Sequence, residues 1–374
     1  MFLLPGQKYL LLCMVVKDFP VKTIDEILCN MLGSKVKRKT VLNGGRNSRV
    51  LKVQTEDDRL FVTKQYFLSP YDHRDRMTTE LKAIRLLQAH NVDCIPCLVA
   101  DDRQARVAVL DYIPGTPVEP ICRFHIDQAI SFLKKLRTIG LQIGSPSTLP
   151  RASEAFFSAN QIAGNIKERF AILQNTPHTH LPGHALDEFL QNDVRPELNL
   201  AVDHCAGIFQ HNDLSMADSI GPEKRTLSPS DFGFHNAVER EDGKLFFLDF
   251  EYFGWDDPAK LICDFILHPV MGLTDVMKAY FCQKALVMFE GGRSLSVRIM
   301  AFYPLFLLKW CLIILNEFLY WEQARRLFAY GKDTLYNDTL LKQLNLAKTF
   351  FSERKLNYEK LCAYISQSVH GRGA

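Results

Sequence analysis

The sequence predicts an α+β protein of two lobes, a small β-rich lobe on the N-terminal side and a larger, mainly helical lobe after it. Three observations predict it. Between residues 36 and 113, short apolar runs broken by turn residues surround a single amphipathic helical stretch. Beyond Pro120, apolar residues recur at helical spacing over most of the chain. A length of 374 residues with 47% hydrophobic content is enough to bury a sizeable core in two lobes. The expected organisation is an extension over residues 1–35, a small lobe over 36–113 and a large lobe over 114–374.

In chain order, Thr23 to Leu32 carries Ile24, Ile27, Leu28 and Met31 at helical spacing, and the basic run from Lys35 to Lys39 reads as a solvated face leading into a strand. The segments Val50–Val53 and Leu60–Lys64, joined by the turn Glu56-Asp-Asp58, read as antiparallel strands. Asn43-Gly44-Gly45 by itself signals a hairpin. Asp75 to Ala89 is an amphipathic helix with Glu80 near its start, and Ile95–Ala100 and Arg106–Ile113 are two further strands closed by Pro114-Gly115. His125–Ile139, Phe156–Leu173, Leu305–Leu319 and Thr339–Phe351 read as helices of the large lobe, while the pattern leaves Leu186–Leu198 and Ala201–Gln210 open.

The balance of 45 basic and 42 acidic residues leaves a charge of +3, too near neutral for a nucleic-acid-binding face. Ten cysteines spread along the chain act as small apolar residues in a reducing compartment, which points to the cytoplasm. The apolar start has its one charge, Lys8, in the middle and no small-residue cleavage site, so it reads as an ordinary N-terminus. Ala301 to Leu315 is strongly apolar but holds Pro304 and Lys309; it is expected to be a buried helix, with no membrane span in the chain.

Chemistry concentrates in the stretch from Leu227 to Glu251. Two short apolar runs there each deliver carboxylates, Asp231 on one and Asp249 and Glu251 on the other, with Asn236 five positions after Asp231. A hairpin turn at Glu241–Lys244 would bring them together. An amide beside carboxylates suits a hard cation such as Mg²⁺, which takes oxygen ligands and shares them with phosphates. Asp and Asn also favour turns for purely local reasons. Several carboxylates closing an apolar strand, however, cost energy unless a cation or donors compensate them. In phosphoryl transfer one acidic group orients the attacking hydroxyl while an Asn and a second Asp hold the metal. Lys64 and Glu80 add a strand lysine and a helix glutamate able to pair, turning the ammonium toward a nucleotide's phosphates.

Competing sites are weaker. His211-Asn-Asp213 resembles the start of such a loop, but Asp218 stands where an Asn is needed and no apolar strand follows closely. Cys94-Ile-Pro-Cys97 has no second CxxC to complete a zinc site and reads as packing. His178, His180, His184, His204 and His211 read as loop histidines, without cysteine partners or a helical HExxH. No Gly-x-Ser-x-Gly elbow and no GxGxxG fingerprint occurs, which weakens hydrolase and dehydrogenase readings.

The order of these motifs over about residues 40 to 270 resembles that of the aminoglycoside phosphotransferase and choline kinase group, relatives of the protein kinases. The run is Asn43, Gly44, Gly45, Arg46, Asn47 and Ser48, then Lys64, Glu80, Leu110-Asp-Tyr-Ile-Pro-Gly115, Asp231 with Asn236, and Leu248-Asp-Phe-Glu251. The resemblance implies a bilobal protein-kinase-like fold with ATP between the lobes. In it, residues 43–48 and Lys64 would meet the nucleotide, Glu80 would orient Lys64, and backbone near Asp111, Tyr112 and Ile113 would bond the adenine. Asp231 would align or deprotonate the acceptor hydroxyl, and Asn236 and Asp249 would bind Mg²⁺ with help from Glu251. Asp264 would serve as a buried hydrogen-bond acceptor supporting the loop. Pro229-Ser230 stand where that group usually has a His-Gly pair, and Gly233 where a second His is common. The implied activity is Mg²⁺-dependent transfer from ATP to a hydroxyl of a small molecule, such as a sugar, amino alcohol or aminoglycoside-like compound. The alternative is a pseudokinase that binds nucleotide or a partner without turnover. A protein kinase is disfavoured by the absence of His-Arg-Asp, of an activation segment after Asp-Phe-Gly, and of Ala-Pro-Glu.

Overall fold

The structure, a computed structural model, describes residues 23–42, 47–68, 74–144, 149–177, 181–319, 336–370 and a few positions between 320 and 335. Helix α1 (Ile24–Leu32) begins at Thr23, whose hydroxyl accepts from the Glu26 N–H while the Glu26 carboxylate accepts from the Thr23 N–H. Gly33, at φ 65°, takes the left-handed conformation that stops it. Its Leu28 and Leu32 pack with Leu51, Val53, Phe61, Val107 and Val109. The described part of the N-terminal stretch thus helps form the small lobe's core.

That core lies on an antiparallel five-stranded sheet of β1 (Val36–Val41), β2 (Ser48–Thr55), β3 (Leu60–Tyr66), β4 (Leu98–Asp102) and β5 (Val107–Asp111), ordered β1-β2-β3-β5-β4. The basic run falls mainly in β1, an edge strand with mostly exposed side chains, where lysines guard against edge-to-edge pairing. Helix α2 (Arg76–Ala89) is capped by Asp75 and buries Met77, Leu81, Ile84 and Leu87. After β5 the chain crosses to the large lobe through Gly115. A Cβ there would lie 2.6 Å from the Glu239 carbonyl oxygen, so only glycine permits the approach.

The large lobe contains the two-residue β6 (Thr116–Pro117), α3 (Arg123–Ile143), α4 (Ala159–Asn175), α5 (Leu181–Phe189) and α6 (Arg195–Gln210). A π-helical turn, Leu190–Val194, joins α5 to α6, so the stretch from Leu186 to Leu198 is continuous in direction but not in pitch. There follow β7 (Thr226–Ser228), β8 (Ala237–Glu239), β9 (Leu245–Phe247), β10 (Gly254–Asp256), α7 (Pro258–Leu267), α8 (Asp275–Met288), α9 (Gly292–Ile314), α10 (Tyr336–Ser352) and α11 (Arg354–His370). Helix α9 is the axis of this lobe, and with the turn after it is long and apolar enough to cross a membrane. Yet 72% of its most apolar window is buried inside the protein. Lys309, in its middle, is paired with Asp264 of α7. This is the buried helix expected from its interrupted apolar run.

Candidate functional site

Residues Leu227 to Val238 do not form one strand, as the apolar run had suggested. Instead β7 stops at Ser228 and pairs with β10, β8 begins at Ala237 and pairs with β9, and Asp231 lies in the loop between them. The loop is anchored by its apolar residues. Phe232 lies among Phe132, Phe247 and Phe265, and Phe234 meets Phe265 edge-on. Two residues of this region take the left-handed conformation, Asp249 at φ 64° and Ser230, just before Asp231, at φ 67°. The β8–β9 register carries on through the bond from the Leu248 N–H to the Asn236 carbonyl at 2.8 Å, which places Asn236 across from the segment carrying Asp249.

From the small lobe, Lys64 on β3 donates to both Glu80 oxygens at 3.0 and 2.7 Å and to Asp249 Oδ1 at 2.9 Å. Glu80 is further held by the Tyr66 hydroxyl at 2.7 Å and the Phe250 N–H at 3.3 Å. Burial disfavours the charge on Lys64; the carboxylates of Asp249 and Glu80 outweigh it and hold the pKa well above the ordinary lysine value. The ammonium therefore remains charged, buried between Glu80 of the small lobe and Asp249 of the large lobe.

Asp231 accepts from His235 Nε2 at 3.1 Å and His268 Nε2 at 3.3 Å, both on Oδ1. Asn236 Nδ2 donates to the Asp231 carbonyl at 2.9 Å and lies 3.4 Å from Oδ2. Loss of solvent opposes the charge of Asp231, but the bonds from the two imidazoles hold its carboxyl well below the usual carboxylate range. The side chain is nonetheless 36% exposed, and so reachable by an incoming group.

The donor set fits a hard cation. With Nδ2 turned to Asp231, the Asn236 side chain has its carbonyl oxygen to offer, and Asp249 and Glu251 add carboxylates. Oxygens of Glu80, Asp249 and Glu251 lie within 4.8 Å of one another, but Glu80 is committed to Lys64 and Tyr66. Burial, followed by the charge of Asp249, pushes Glu251 up to about 8. The cost of burying Glu251 beside a second carboxylate is what a divalent cation relieves. Glu251 also accepts from Asn47 Nδ2 at 2.6 Å, and Arg76 lies 3.7 Å away, so it ties the small lobe down as well as facing the cluster.

Of the expected nucleotide-binding residues, Asn43, Gly44, Gly45 and Arg46 lie outside the described residues, as do His178 and His180. Asn47 reaches across the cleft to Glu251 and to the Tyr252 hydroxyl, both at 2.6 Å, and Ser48 begins β2. Asp111 ends β5, with Tyr112 and Ile113 in the connection that follows; Lys52 Nζ sits 3.9 Å over the Tyr112 ring. His204 meets the Tyr358 hydroxyl and His211 its own helix's carbonyl, so neither belongs to the site. Asp264 accepts from Lys309 and from Trp310 Nε1 at 2.9 Å, the buried acceptor expected of it. Sequence reasoning missed Tyr66, His235 and His268. The position of His235 between Asp231 and Asn236 was a usable signal. His268, 37 residues from Asp231, offered none.

No protein-family profile and no curated protein matches the chain. Solved structures do. A spectinomycin phosphotransferase in complex with ADP and spectinomycin superposes with a TM-score of 0.61 at 13% identity, over 91% of this chain and 100% of that one. An ethanolamine kinase of Plasmodium vivax gives 0.55 at 14% identity over 93% and 96% of the two chains. The choline kinase LicA of Streptococcus pneumoniae gives 0.52 at 15%, over 88% and 98%. The chain has the bilobal kinase-like α+β fold of these aminoglycoside, choline and ethanolamine kinases.

Proposed function

We propose that this protein is a phosphotransferase that moves the γ-phosphoryl group of ATP to a hydroxyl of a small molecule, with Mg²⁺ at Asn236, Asp249 and Glu251. The observation that carries the reading is the Lys64 ammonium, shared between Glu80 of the small lobe and Asp249 of the large lobe. It puts a fixed positive charge beside oxygen donors, the pairing that cradles a polyphosphate and its cation. Residues 43–48 would cover the phosphates, and backbone near Asp111, Tyr112 and Ile113 would meet the base. Bound there, the cation would neutralise charge on the phosphates. Asp231 would orient the acceptor hydroxyl and take up its proton late, a role that asks for position more than basicity because the transition state is loose. The free thiols among the described cysteines suit a cytoplasmic setting, where ATP is supplied. Sugars, amino alcohols and aminoglycoside-like compounds are the acceptors to screen.

A second reading, a pseudokinase that binds nucleotide without transfer, draws on the low basicity of Asp231, whose Oδ1 is already taken by two donors. Turnover of Mg-ATP against an acceptor panel separates the two. Asp231→Asn should lower kcat by about 10² to 10⁴ with little change in KM for ATP. Full activity in that variant would refute the assignment. Nucleotide binding without turnover on any acceptor would favour the pseudokinase.

A further inference from the structure

Pro229 and Ser230, just before Asp231, contribute nothing to its carboxylate: Ser230 turns its hydroxyl away to donate to the Ser153 carbonyl at 2.6 Å and accepts from Lys260. The carboxylate is held instead by two histidines arriving from different directions, His235 from the same loop and His268 from just beyond the end of α7. Their rings are stacked, with centroids 3.9 Å apart and planes 15° from parallel, and both Nε2 atoms converge on the same oxygen. Gly233 makes the space for this. A Cβ there would fall 2.3 Å from Met271 Sδ and 2.8 Å from His235 Nδ1. The far side of His268 is closed by the Trp310 ring, edge-on at 4.5 Å, and Trp310 is itself fixed by its bond to Asp264.

The donor role of the pair follows from its partner. An oxygen of an ionised carboxylate can only accept, so each Nε2 must carry a hydrogen. Both Nδ1 atoms are buried without a hydrogen-bond partner. The same partnerless Nδ1 atoms argue against a transition metal between these rings and Asp231, because a metal-ligating histidine ordinarily donates its other N–H to an oriented acceptor.

We propose that His235 and His268, each donating its Nε2–H to Oδ1 of Asp231, pin that oxygen and thereby fix which way Oδ2 faces the acceptor hydroxyl. They are positioning residues; neither is asked to touch the substrate. The proposal rests on the reading of Asp231 as the group that meets the acceptor, and the hydrogen bonds can be checked separately from it.

The first measurement is long-range ¹H–¹⁵N correlation on histidine-labelled protein near pH 7.5, with resonances assigned through His235→Gln and His268→Gln. Both rings should show a proton on Nε2, and Asp231→Asn should perturb both. An Nε2 without a proton at either position would overturn the proposal, as would stoichiometric Zn²⁺ binding that shifts the two Nε2 resonances. The second measurement is ADP formation from Mg-ATP, with water as the acceptor until a better one is found. His268→Leu, which fills the space without a donor, should lower kcat by about 10²-fold at unchanged KM for ATP and unchanged melting temperature. His268→Gln, which keeps an N–H in reach, should recover most of the loss. Equal rates in the Leu and Gln variants would overturn the positioning role. A wild-type chain that forms no ADP with water or with any acceptor of the panel would instead remove the phosphotransfer reading, and with it any catalytic meaning of the pair, while the Nε2 protons would still decide the hydrogen bonds.

Discussion

At the scale of single residues, the site is a contest between burial and charge, and Glu251 shows it most plainly. Its carboxyl is shifted from 4.5 up to about 8 by burial and then by the negative charge of Asp249. Between those two values the folded chain keeps a proton on Glu251 that the unfolded chain has lost, so this group's contribution to stability falls as pH rises through that window. A divalent cation must displace that proton to gain the oxygen. Mg²⁺ should therefore bind more tightly as pH rises, and the gain should level off above about 8. Thermal melts with and without Mg²⁺ should show a larger stabilisation at about pH 8.5 than at about pH 6.5. In Glu251→Gln the pH dependence of that stabilisation should vanish. An equal Mg²⁺ effect at both pH values in the wild-type chain would mean that Glu251 is no ligand.

At the scale of elements, β10, α7 and α9 are locked by a buried row of alternating charges. Lys260 meets Asp256 at 2.9 Å and Asp264 at 3.2 Å, and Lys309 meets Asp264 at 2.6 Å. The row is asymmetric. Burial disfavours the charge on both lysines, but Lys260, with two carboxylates, is held above the ordinary lysine value, whereas Lys309 is pulled below it. Asp264→Leu would leave Lys309 without its carboxylate and should cost about 3–5 kcal/mol in urea unfolding. Lys309→Met leaves Asp264 its bonds from Lys260 and Trp310, and should cost clearly less; the reverse order would refute this account of the row. These elements also mark where sequence stopped being informative. Helix α2 and the strands beside it were legible because caps, turns and periodicity agreed over long enough runs. Strands β7 to β10 are three residues each, too short for a period to register. Their pairing partners are chosen by the packing of Phe232 and Phe234, not by local pattern. Asp231, Asn236 and Asp249 could be picked out by type and spacing, and Lys64 with Glu80 by strand order. The imidazole pair could not, since His268 sits before a proline at a helix end and looks like an ordinary stop.

At the scale of the whole molecule, the lobes are joined in two ways, and their balance decides how the protein melts. One join is apolar. Ala83, Ile84 and Leu87 of α2, with Val92, Ile95 and Leu110, belong to the same buried cluster as the helices of the large lobe. The other is polar and lines the cleft: Lys64 to Asp249, Asn47 to Glu251 and Tyr252, and the Phe250 N–H to Glu80. A shared core makes the lobes unfold together, so calorimetry should show one transition; two well-separated transitions would show that the small lobe's own core, around Leu28, Val53 and Phe61, stands alone. Mg-ATP, bridging the polar side, should raise that single transition by mass action. At a hundredfold excess over Kd the gain is about 2.7 kcal/mol, or roughly 3 °C for a chain of this length. Lys64→Met tests the link between the two joins. It removes the charge that faces both carboxylates but leaves the apolar core intact, so the transition should stay single and fall in temperature while the Mg-ATP shift disappears. A shift that survives in Lys64→Met would place the nucleotide elsewhere, and no shift in the wild-type chain with ATP or GTP would remove the nucleotide site altogether.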